Sequence, residues 1–499
     1  MRESNTEKDS SHNQFSISAL RRSLSSMPAL IVALPLVLGI LLYDVIALSS
    51  NVTVIAMAVL LICAVWLRRG RAAVWLLSAA TLLFGYLLSE LQQSSCEIPY
   101  NQDLELVINV DEIPAERQGY NLSKGRIEMW RSDSVWYRGD AQVVLWLRAD
   151  SVKEGDCVRV VSRIRNEMSR IDSYDRLLRA RGFVGGVGVD SSSIVDLQRG
   201  DMSLHSRSVR KLERYLRDTA SYATAEAMVV GSKRLMPQSL SESYSRTGLA
   251  HLMAVSGLHL GIVMLVIGSL LRPLVLIHRG YQLRSLLIIV LLWVYVFVVG
   301  ASASVVRAAL MFSVLQLGMI TSKHYSSLNA LLMAVIAMVV YRTDYVFDIS
   351  FQLSVVAVVG IIVWGVPLMR HLSAAGRGAW WLLSTIAISI VATLWTLPIV
   401  SYSFANIPLV GVIITPVAML LSYVIIGCGL FVLLLPHPVA QPFAWVMEYA
   451  SWLENLIVER VACLPLASIE YRMSEWQMVV IYAVYLLITL FIWSRSEKK

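Results

Sequence analysis

Long apolar runs, interrupted by one polar segment, constrain this chain more than any other feature of its sequence. Charged side chains are concentrated between residues 92 and 246, which hold 45 of the 78 Asp, Glu, Lys and Arg residues. Only 16% of the chain is charged and 56% is hydrophobic, whereas about a quarter of the residues of a soluble domain are charged. The sequence therefore predicts a polytopic α-helical membrane protein with one inserted polar domain. It excludes a soluble enzyme.

Eleven apolar segments approach the length of about 20 residues that a helix needs to cross the hydrocarbon of a bilayer. Three precede the polar segment, at 28–48, 52–67 and 72–88. Eight follow it, at 250–271, 286–299, 304–320, 328–341, 351–368, 380–400, 409–435 and 479–493. The count is 11 to 12, because two interpretations of the last part stay open. Either a helix at 445–461 also crosses, or the 409–435 segment, which contains Pro416, is broken into a re-entrant hairpin.

Basic residues in the short loops predict the orientation. Arg21 and Arg22 precede the first apolar segment, and an arginine cluster at 68–71 separates the second from the third. Such clusters mark cytoplasmic loops, so we expect the polar segment to lie outside. The expected organisation is a cytoplasmic tail (1–26), three helices (27–91), an extracytoplasmic domain (92–205), an amphipathic connector (206–246) and a multi-helix domain (247–499). The connector is expected to lie along the membrane surface, with a helix at 209–235.

The extracytoplasmic domain contains segments in which apolar and polar residues alternate, as they do in half-buried strands. The segments are 104–110, 126–130, 141–147 and 157–164, and turn residues separate them. Four or five strands in about 100 residues predict a small β-barrel, with the oligonucleotide-binding (OB) fold as the candidate.

Arginines accumulate in the second half of this domain. Residues 157–217 carry 13 bases and 7 acids, and tryptophans and tyrosines lie nearby in the sequence. Arginines that contact phosphates, together with rings that stack on bases, are typical of proteins that bind single strands. The candidate DNA-binding residues are Arg159, Arg163, Arg165, Arg170, Arg176 and Arg179. The alternative is a solvated arginine-rich face over a core that contains the tryptophans.

Two of the five cysteines, Cys96 and Cys157, fall in the same outside domain. An oxidising compartment would allow a disulfide between them. Two unrelated thiols are the alternative.

A run of polar residues marks the start of the multi-helix domain. His251, Ser256 and His259 lie in or beside an apolar segment, where a polar group is costly unless it faces a bundle interior or water. The two histidines are eight residues apart, which would place them on the same broad side of one helix. Gly257 and Gly261 form a pair of small residues that lets a second helix approach closely.

Similar features recur further along the chain. Gly300 and Ser304 repeat the spacing of small residues, and Arg307 follows them inside an apolar segment. An arginine at that depth needs a partner or water. Asp348 is the candidate partner, although it can equally be the N-cap of the next helix, and Gln352 follows one turn later. We expect His251, Ser256, His259, Arg307, Asp348 and Gln352 to line or support one hydrated path.

These motifs resemble those of the ComEC competence family, the membrane channel for DNA uptake in natural transformation. The residues 251–261, HLMAVSGLHLG, are similar to the family signature, and GASASVVRA at 300–308 and FDISFQLS at 347–354 follow in the family's order. The short element at 172–183 looks like the end of the family's outside domain. The resemblance implies that single-stranded DNA passes through the helices into the cytoplasm. It also implies a location in the bacterial cytoplasmic membrane, a DNA receptor outside, and an ATPase or single-strand-binding proteins inside.

The sequence departs from the family pattern in two places. Around residues 398–416, where members usually carry an asparagine followed by an apolar segment and a proline, Thr415 and Pro416 stand instead, and we transfer no role to them. Many members continue into a metallo-β-lactamase-like domain, whose metal site needs clustered histidines, and here the eight histidines are scattered. We expect this chain to be a form without that domain, so that another protein degrades the second strand. No motif for a metal or a cofactor is present, and we expect neither.

Three questions stay open at this level. A transporter for another polyanion or for a lipid-linked precursor would keep the same topology and arginines. An intramembrane hydrolase is a further alternative, since Ser256 and His259 are one helical turn apart and a hydroxyl can meet an imidazole there; against it, no acidic residue in the motif orients the histidine. Homo-oligomerisation is also open, because stripes of small residues serve packing within and between protomers.

Overall fold

The computed structural model describes residues 28–43, 45–46, 48–67, 71–93, 99–112, 114–117, 120–132, 135–148, 151–168, 178, 183–201, 203–320, 327–372, 377–465 and 467–496. Four of the predicted site residues lie outside this description: Cys96, Arg170, Arg176 and Arg179. Of the element at 172–183, only residues 178 and 183 are described.

Three apolar helices open the chain: α1 (Pro28–Tyr43), α2 (Ser50–Trp66) and α3 (Arg71–Gln93). Helices α1 and α3 cross at Gly39 and Gly85. A Cβ atom at Gly39 would overlap the carbonyl oxygen of Leu82, and one at Gly85 would overlap that of Leu36. The two glycines therefore let the two backbones touch, which is how membrane helices commonly associate.

The polar segment folds into a seven-stranded sheet. Its strands are β1 (Asp103–Val110), β2 (Ala115–Arg117), β3 (Tyr120–Ser132), β4 (Val135–Leu147), β5 (Cys157–Arg165), β6 (Phe183–Val189) and β7 (Ile194–Gln198). Strand β1 pairs with both β3 and β5, β3 pairs with β4, and β6 joins β4 in parallel and β5 in antiparallel orientation. Alternate residues of these strands form one apolar core, which includes Leu106, Ile127, Val143 and Val160.

The connector differs from the single surface helix expected at 209–235. It forms α4 (Leu204–Glu213), α5 (Thr219–Val229) and α6 (Gln238–Arg246). Residues 221–229 of α5 are all buried, so the expectation of a helix along the membrane surface is wrong for this part. The reason is that alanine, serine and threonine predominate in α5, and these small side chains let it pack inside the protein on all sides.

The rest of the chain is helical. The helices are α7 (Gly257–Leu270), α8 (Gly280–Val298), α9 (Ala303–Ile320), α10 (Ser327–Tyr341), α11 (Ile349–Gly360), α12 (Val366–Leu372), α13 (Arg377–Phe404), α14 (Gly411–Leu434), α15 (Gln441–Ala462) and α16 (Glu475–Ser496). A π-helical turn at Ile361–Gly365 joins α11 to α12. Two short strands, β8 (Asn406–Pro408) and β9 (Ser468–Glu470), pair with each other. The largest core joins α4 to α9 with α14 and α15.

Five helices in the described part of the chain are long and apolar enough to cross a membrane. They are α3, α8, the segment from α11 to α12, α13 and α14. Six shorter apolar helices, α1, α2, α7, α9, α10 and α16, lie at the other positions where the sequence predicts spans. The prediction of a mostly helical membrane protein with an inserted β domain is confirmed, and the full number of crossings stays a prediction.

Helix α14 shows whether the 409–435 segment is broken into a re-entrant hairpin. It is continuous from Gly411 to Leu434, with Pro416 inside it. The broken hairpin is therefore wrong, because membrane helices tolerate a proline when nearby groups satisfy the freed backbone. Helix α15 runs antiparallel to α14, because Phe431 stacks on Phe443 near one end of the pair and Ser422 lies 3.5 Å from Glu454 further along both helices.

Candidate functional site

A continuous cavity of about 2800 Å³ lies between the β domain and the helices and extends into the helical domain. Strands β3 and β4 contribute to its outer part. Helices α9, α10, α11, α13 and α14 contribute to its inner part. A cavity of this size is several times larger than the pockets that hold small molecules. It therefore offers space for an extended ligand.

Charged residues of both signs line the part of the cavity next to the β domain. The bases Lys124, Arg126 and Arg148 pair with Glu112, Asp111 and Asp190 at 2.7, 3.7 and 3.8 Å. Arg165 also lines the cavity and is exposed. Within the part of the chain that the structure describes, no carboxylate lies within 4 Å of its guanidinium. Arg165 is thus a cation available to an anionic ligand.

The other two described arginines of the predicted DNA-binding set have carboxylate partners. Arg163 binds Asp103 through Nε and Nη2 at 2.6 and 2.7 Å, and this hydrogen bond lowers the pKa of the Asp103 carboxyl. Arg159 lies 3.5 Å from Glu105. Neither lines the cavity, so their placement agrees with the alternative of a solvated arginine-rich face.

The β domain joins the helices at the start of α4. The Ser203 hydroxyl donates to Glu154 Oε1 at 2.6 Å, and His205 Nδ1 lies 2.9 Å from the carbonyl oxygen of Val298 at the end of α8. Burial raises the pKa of the Glu154 carboxyl, and the hydrogen bond from Ser203 opposes this shift. The junction therefore fixes the β domain over the mouth of the helical cavity.

Cys157 begins β5 and has no disulfide partner among the described residues, and burial raises the pKa of its thiol. Because Cys96 lies outside the described residues, the disulfide stays a prediction.

The polar motif at 251–259 does not form one helix. His251 belongs to a 3₁₀ turn, Ala250–Met253, and α7 begins only at Gly257. The expectation that His251 and His259 share one side of a helix is therefore wrong. The physical reason is a capping box, in which the side chains of Ser256 and His259 satisfy each other's backbone at the start of α7.

Within this capping box, the hydroxyl of Ser256 lies 2.8 Å from Nδ1 of His259. The backbone N–H of Ser256 also donates to Nδ1, at 3.2 Å. His259 is completely buried, and its Nε2 has no hydrogen-bond partner among the described residues. Ser256 and His251 line the cavity, whereas His259 supports its wall from behind.

Arg307 lies behind the same wall and is 1% exposed. Its Nη2 donates to the Ser304 hydroxyl at 3.3 Å, and its guanidinium lies 5.4 Å from the ring centre of Phe351. Asp348 interacts electrostatically with Arg307 and accepts a hydrogen bond from the backbone N–H of Phe351. Asp348 thus has both roles that its sequence allows, as a neighbour of the arginine and as the N-cap of α11.

Gln352 forms a hydrogen bond with the backbone six residues before it. Its Nε2 donates to the carbonyl oxygen of Val346 at 2.9 Å. Of the six residues predicted for the path, His251, Ser256 and Asp348 line the cavity, and the other three stand next to those that do.

The four small residues predicted for helix packing differ in their contacts. Gly257 and Gly261 face α9, but a Cβ atom on either would only reach ordinary contact, at 3.5 Å from Ala308 and 3.7 Å from Phe312. Gly300 ends α8 with a φ of +80°, a conformation that favours glycine. The turn after α8 therefore accounts for a glycine at this position, and its role in helix packing stays a prediction. Ser304 lines the cavity and binds Arg307.

Sequence reasoning missed a set of hydroxyl groups deep in the cavity. They belong to one face of α13 and to α11 and α14: Thr385, Ser389, Thr393, Thr396, Ser350, Ser354 and Thr415. On α13 they follow a spacing of three to four residues, which is one helical face. This spacing was readable in the sequence, but such hydroxyls commonly bond to their own helix, as Thr396 does to the Ala392 carbonyl at 2.8 Å. Aromatic residues at the wall, among them Trp293, Phe297, Tyr345, Phe404 and Tyr423, were also missed.

Comparisons with known proteins bear on the helical part of the chain. A family model described as Competence protein matches residues 228–496. ComE operon protein 3 of Bacillus subtilis (strain 168) is 26% identical over 245 residues, which are 48% of this chain and 30% of that protein. An uncharacterized protein of Aquifex aeolicus (strain VF5) is 28% identical over 244 residues, 48% of this chain and 54% of that protein. The aligned region therefore spans about a third to a half of these relatives. No solved structure matches the chain significantly.

Proposed function

Because this chain belongs to the Competence protein family, which matches more than half of it, we propose that it carries single-stranded DNA across the cytoplasmic membrane during natural transformation. The chain is a multi-pass protein of the bacterial inner membrane with a role in competence and DNA uptake. The observation that carries the proposal of a channel is the cavity of about 2800 Å³ that continues from the β domain into the helices.

We propose that the β domain is an OB-like barrel that receives the strand. The ladders support closure, since β1 pairs with β3 on one side and with β5 on the other. The parallel pair of β4 and β6, with β6 also beside β5, completes the circuit. OB folds bind single strands through cations and stacked rings. Arg165 supplies a cation on the side of the cavity.

The helical part of the cavity then receives the strand. His251 and Ser256 offer hydrogen bonds at its entrance, and the hydroxyls of α13 continue this lining inward. Arg307 adds positive charge from behind the wall, where burial makes its field stronger than it would be in water. Walls of hydroxyl and aromatic groups suit a polyanion with bases, because they solvate phosphates and contact rings without holding them firmly.

Ser256 and His259 support a second candidate, an intramembrane hydrolase, since their side chains meet at 2.8 Å. The same contact is explained by the capping box at the start of α7, which also uses the backbone N–H groups. A base that activates a serine also needs an orienting carboxylate on its other nitrogen, and among the described residues no Asp or Glu pairs with His259 Nε2. The arrangement therefore favours a capping function over catalysis.

The test is deletion of the gene in a transformable host, followed by complementation. Labelled duplex DNA is scored separately for binding at the surface and for entry into the cytoplasm. We expect the deletion to keep surface binding and to lose entry, and the wild-type gene to restore it. Normal entry in the deletion strain would refute the proposal. A receptor outside and an ATPase or single-strand-binding proteins inside are the partners that this function requires.

A further inference from the structure

Helix α4 carries three arginines on its exposed face. Arg207, Arg210 and the C-cap residue Arg214 are all exposed, and their spacing of three and four residues places them on one side of the helix. These three residues form the arginine row. None of the three lines the cavity, so the row is a positive surface separate from the cavity lining.

Neighbouring carboxylates do not neutralise the row. Among the described residues, no Asp or Glu oxygen lies within 4 Å of the guanidinium of Arg210 or Arg214. The one acidic residue of α4, Glu213, lies 3.7 Å from Arg234 instead. Two positive charges of the row are therefore available to an anionic ligand.

The opposite face of α4 is fixed in the helical domain. Val209 and Leu212 are buried in the largest core, and Lys211 Nζ donates to the carbonyl oxygens of Leu433 and Leu435 at 2.8 and 2.9 Å. A basic amphipathic helix that binds a bilayer inserts its apolar face into the lipid. The apolar face of α4 is packed inside the protein instead, so insertion into lipid does not account for the row.

The row starts beside the mouth of the cavity. Ser203 and His205 line the cavity, and His205 is held at the end of α8 by its contact with the Val298 carbonyl oxygen at 2.9 Å. Arg207 follows His205 by two residues, and Arg214 lies about 10 Å further along the chain, at about 1.5 Å per helical residue. Phosphates of one strand follow each other at about 3.4 Å along a DNA duplex. The length of the row therefore matches about three successive phosphates of a strand that leads to the mouth.

We propose that the arginine row is a phosphate-binding site that holds the backbone of DNA outside the cavity, next to its mouth. Arginine binds phosphate oxygens through the N–H groups of its planar guanidinium. Residues 204–213 include no Phe, Trp or Tyr, so the helix offers contacts to the backbone and no ring on which a base could stack. The site therefore takes single strands and duplexes alike, without sequence preference. This inference rests on the proposed function, and it names the surface that holds the incoming DNA before the cavity.

The test measures DNA binding by the purified full-length protein in nanodiscs of zwitterionic lipid. The anisotropy of a labelled duplex, and of one of its single strands, gives the affinity over a range of salt concentrations. Arg210→Gln and Arg214→Gln are combined in one variant. The matched control combines Arg131→Gln with Arg163→Gln, which removes the same charge from two β-domain arginines that already bind Glu105 and Asp103 at 3.0 and 2.6 Å.

We expect the Arg210/Arg214 variant to reduce the slope of log affinity against log salt by about 1.8 for the duplex and by about 1.4 for the single strand, at about 0.9 and 0.7 per contact. The control should keep the wild-type slope. An unchanged slope in the Arg210/Arg214 variant, or an equal reduction in the control, would overturn the inference. If the double variant does not fold, Arg214→Glu alone must reduce the duplex slope by about 0.9, and an unchanged slope would overturn the inference.

Anionic lipid headgroups would bind the same arginines through the same phosphate chemistry. Native mass spectrometry of protein from nanodiscs with phosphatidylglycerol separates the two ligands. Loss of bound phosphatidylglycerol in the Arg210/Arg214 variant, together with an unchanged DNA slope, would assign the row to lipid and overturn the DNA site.

The two proposals fail differently. A variant that binds both forms of DNA like the wild type contradicts the arginine row and leaves the channel intact. A wild type that binds DNA through the row but admits no strand into liposomes contradicts the channel and leaves the row intact.

Discussion

Arg165 and Arg163 provide a test of whether the β domain contacts DNA through the cavity. They lie two residues apart on β5, and replacing either by alanine removes the same charge. They differ in their surroundings, because Arg165 lines the cavity without a carboxylate partner among the described residues, whereas Arg163 is held by Asp103 at 2.6 Å. The two variants therefore lose the same long-range attraction for DNA. A difference between their affinities reports direct contact of one arginine with the ligand.

The expected magnitude follows from counterion release. One phosphate contact on a single strand contributes about 0.7 to the slope of log affinity against log salt, so between 50 and 200 mM salt it accounts for a factor of about 2.6. We expect Arg165→Ala to reduce the slope by about 0.7 and Arg163→Ala to leave it unchanged. The assay is fluorescence anisotropy of a labelled oligonucleotide with the full-length protein in lipid nanodiscs. Equal slopes for the two variants would refute the contact at Arg165.

Three further predictions concern the helices and the topology. Ser256→Ala keeps the size of the cavity and should preserve DNA entry per folded protein. Arg307→Ala removes the buried cation and should abolish DNA entry. The reverse result in an uptake assay would favour a hydrolase. Gly39→Ala should lower the free energy of unfolding by about 1–3 kcal/mol through overpacking, which would lower the thermal midpoint. Gly261→Ala has space for its methyl group and should raise the free energy of unfolding by up to about 1 kcal/mol. Equal thermal midpoints for the two variants would contradict the packing described. A cysteine at the exposed Ser191, in a cysteine-free background, should react with an impermeant maleimide on intact spheroplasts, and protection until lysis would reverse the orientation.

Parts of β1, β3, β4 and β5 were readable in the sequence because alternation is a local signal, but the expectation of four or five strands was too low, since β2 and β7 were not predicted. Strand β1 begins one residue before the predicted segment at 104–110, and β5 ends one residue after that at 157–164. The length of β4 was underestimated, since its first six residues, 135–140, are not buried and carry no alternation. Pairing between distant strands has no comparable local signal.

The candidate site was only partly predictable, because burial depends on neighbours that are distant in sequence. A charged residue in a connector is normally solvated, so nothing in the sequence distinguished Glu226 of α5, which is completely buried and pairs with Arg234 at 3.6 Å. The break before α7 was missed because the apolar residues continue through it, whereas the capping interaction of Ser256 is visible only in three dimensions.

Two neighbouring residues of α13 offer a direct test of whether DNA passes through the cavity. Ser389 lines the cavity, whereas Ile390, the next residue, is 39% exposed on the outer face of the helix. A photo-crosslinking amino acid is placed at either position, and cells taking up labelled DNA are irradiated. If DNA passes through the cavity, the variant at Ser389 is crosslinked to single-stranded DNA and the variant at Ile390 is not. Crosslinking at Ile390 alone, or at neither position while uptake proceeds, would contradict it.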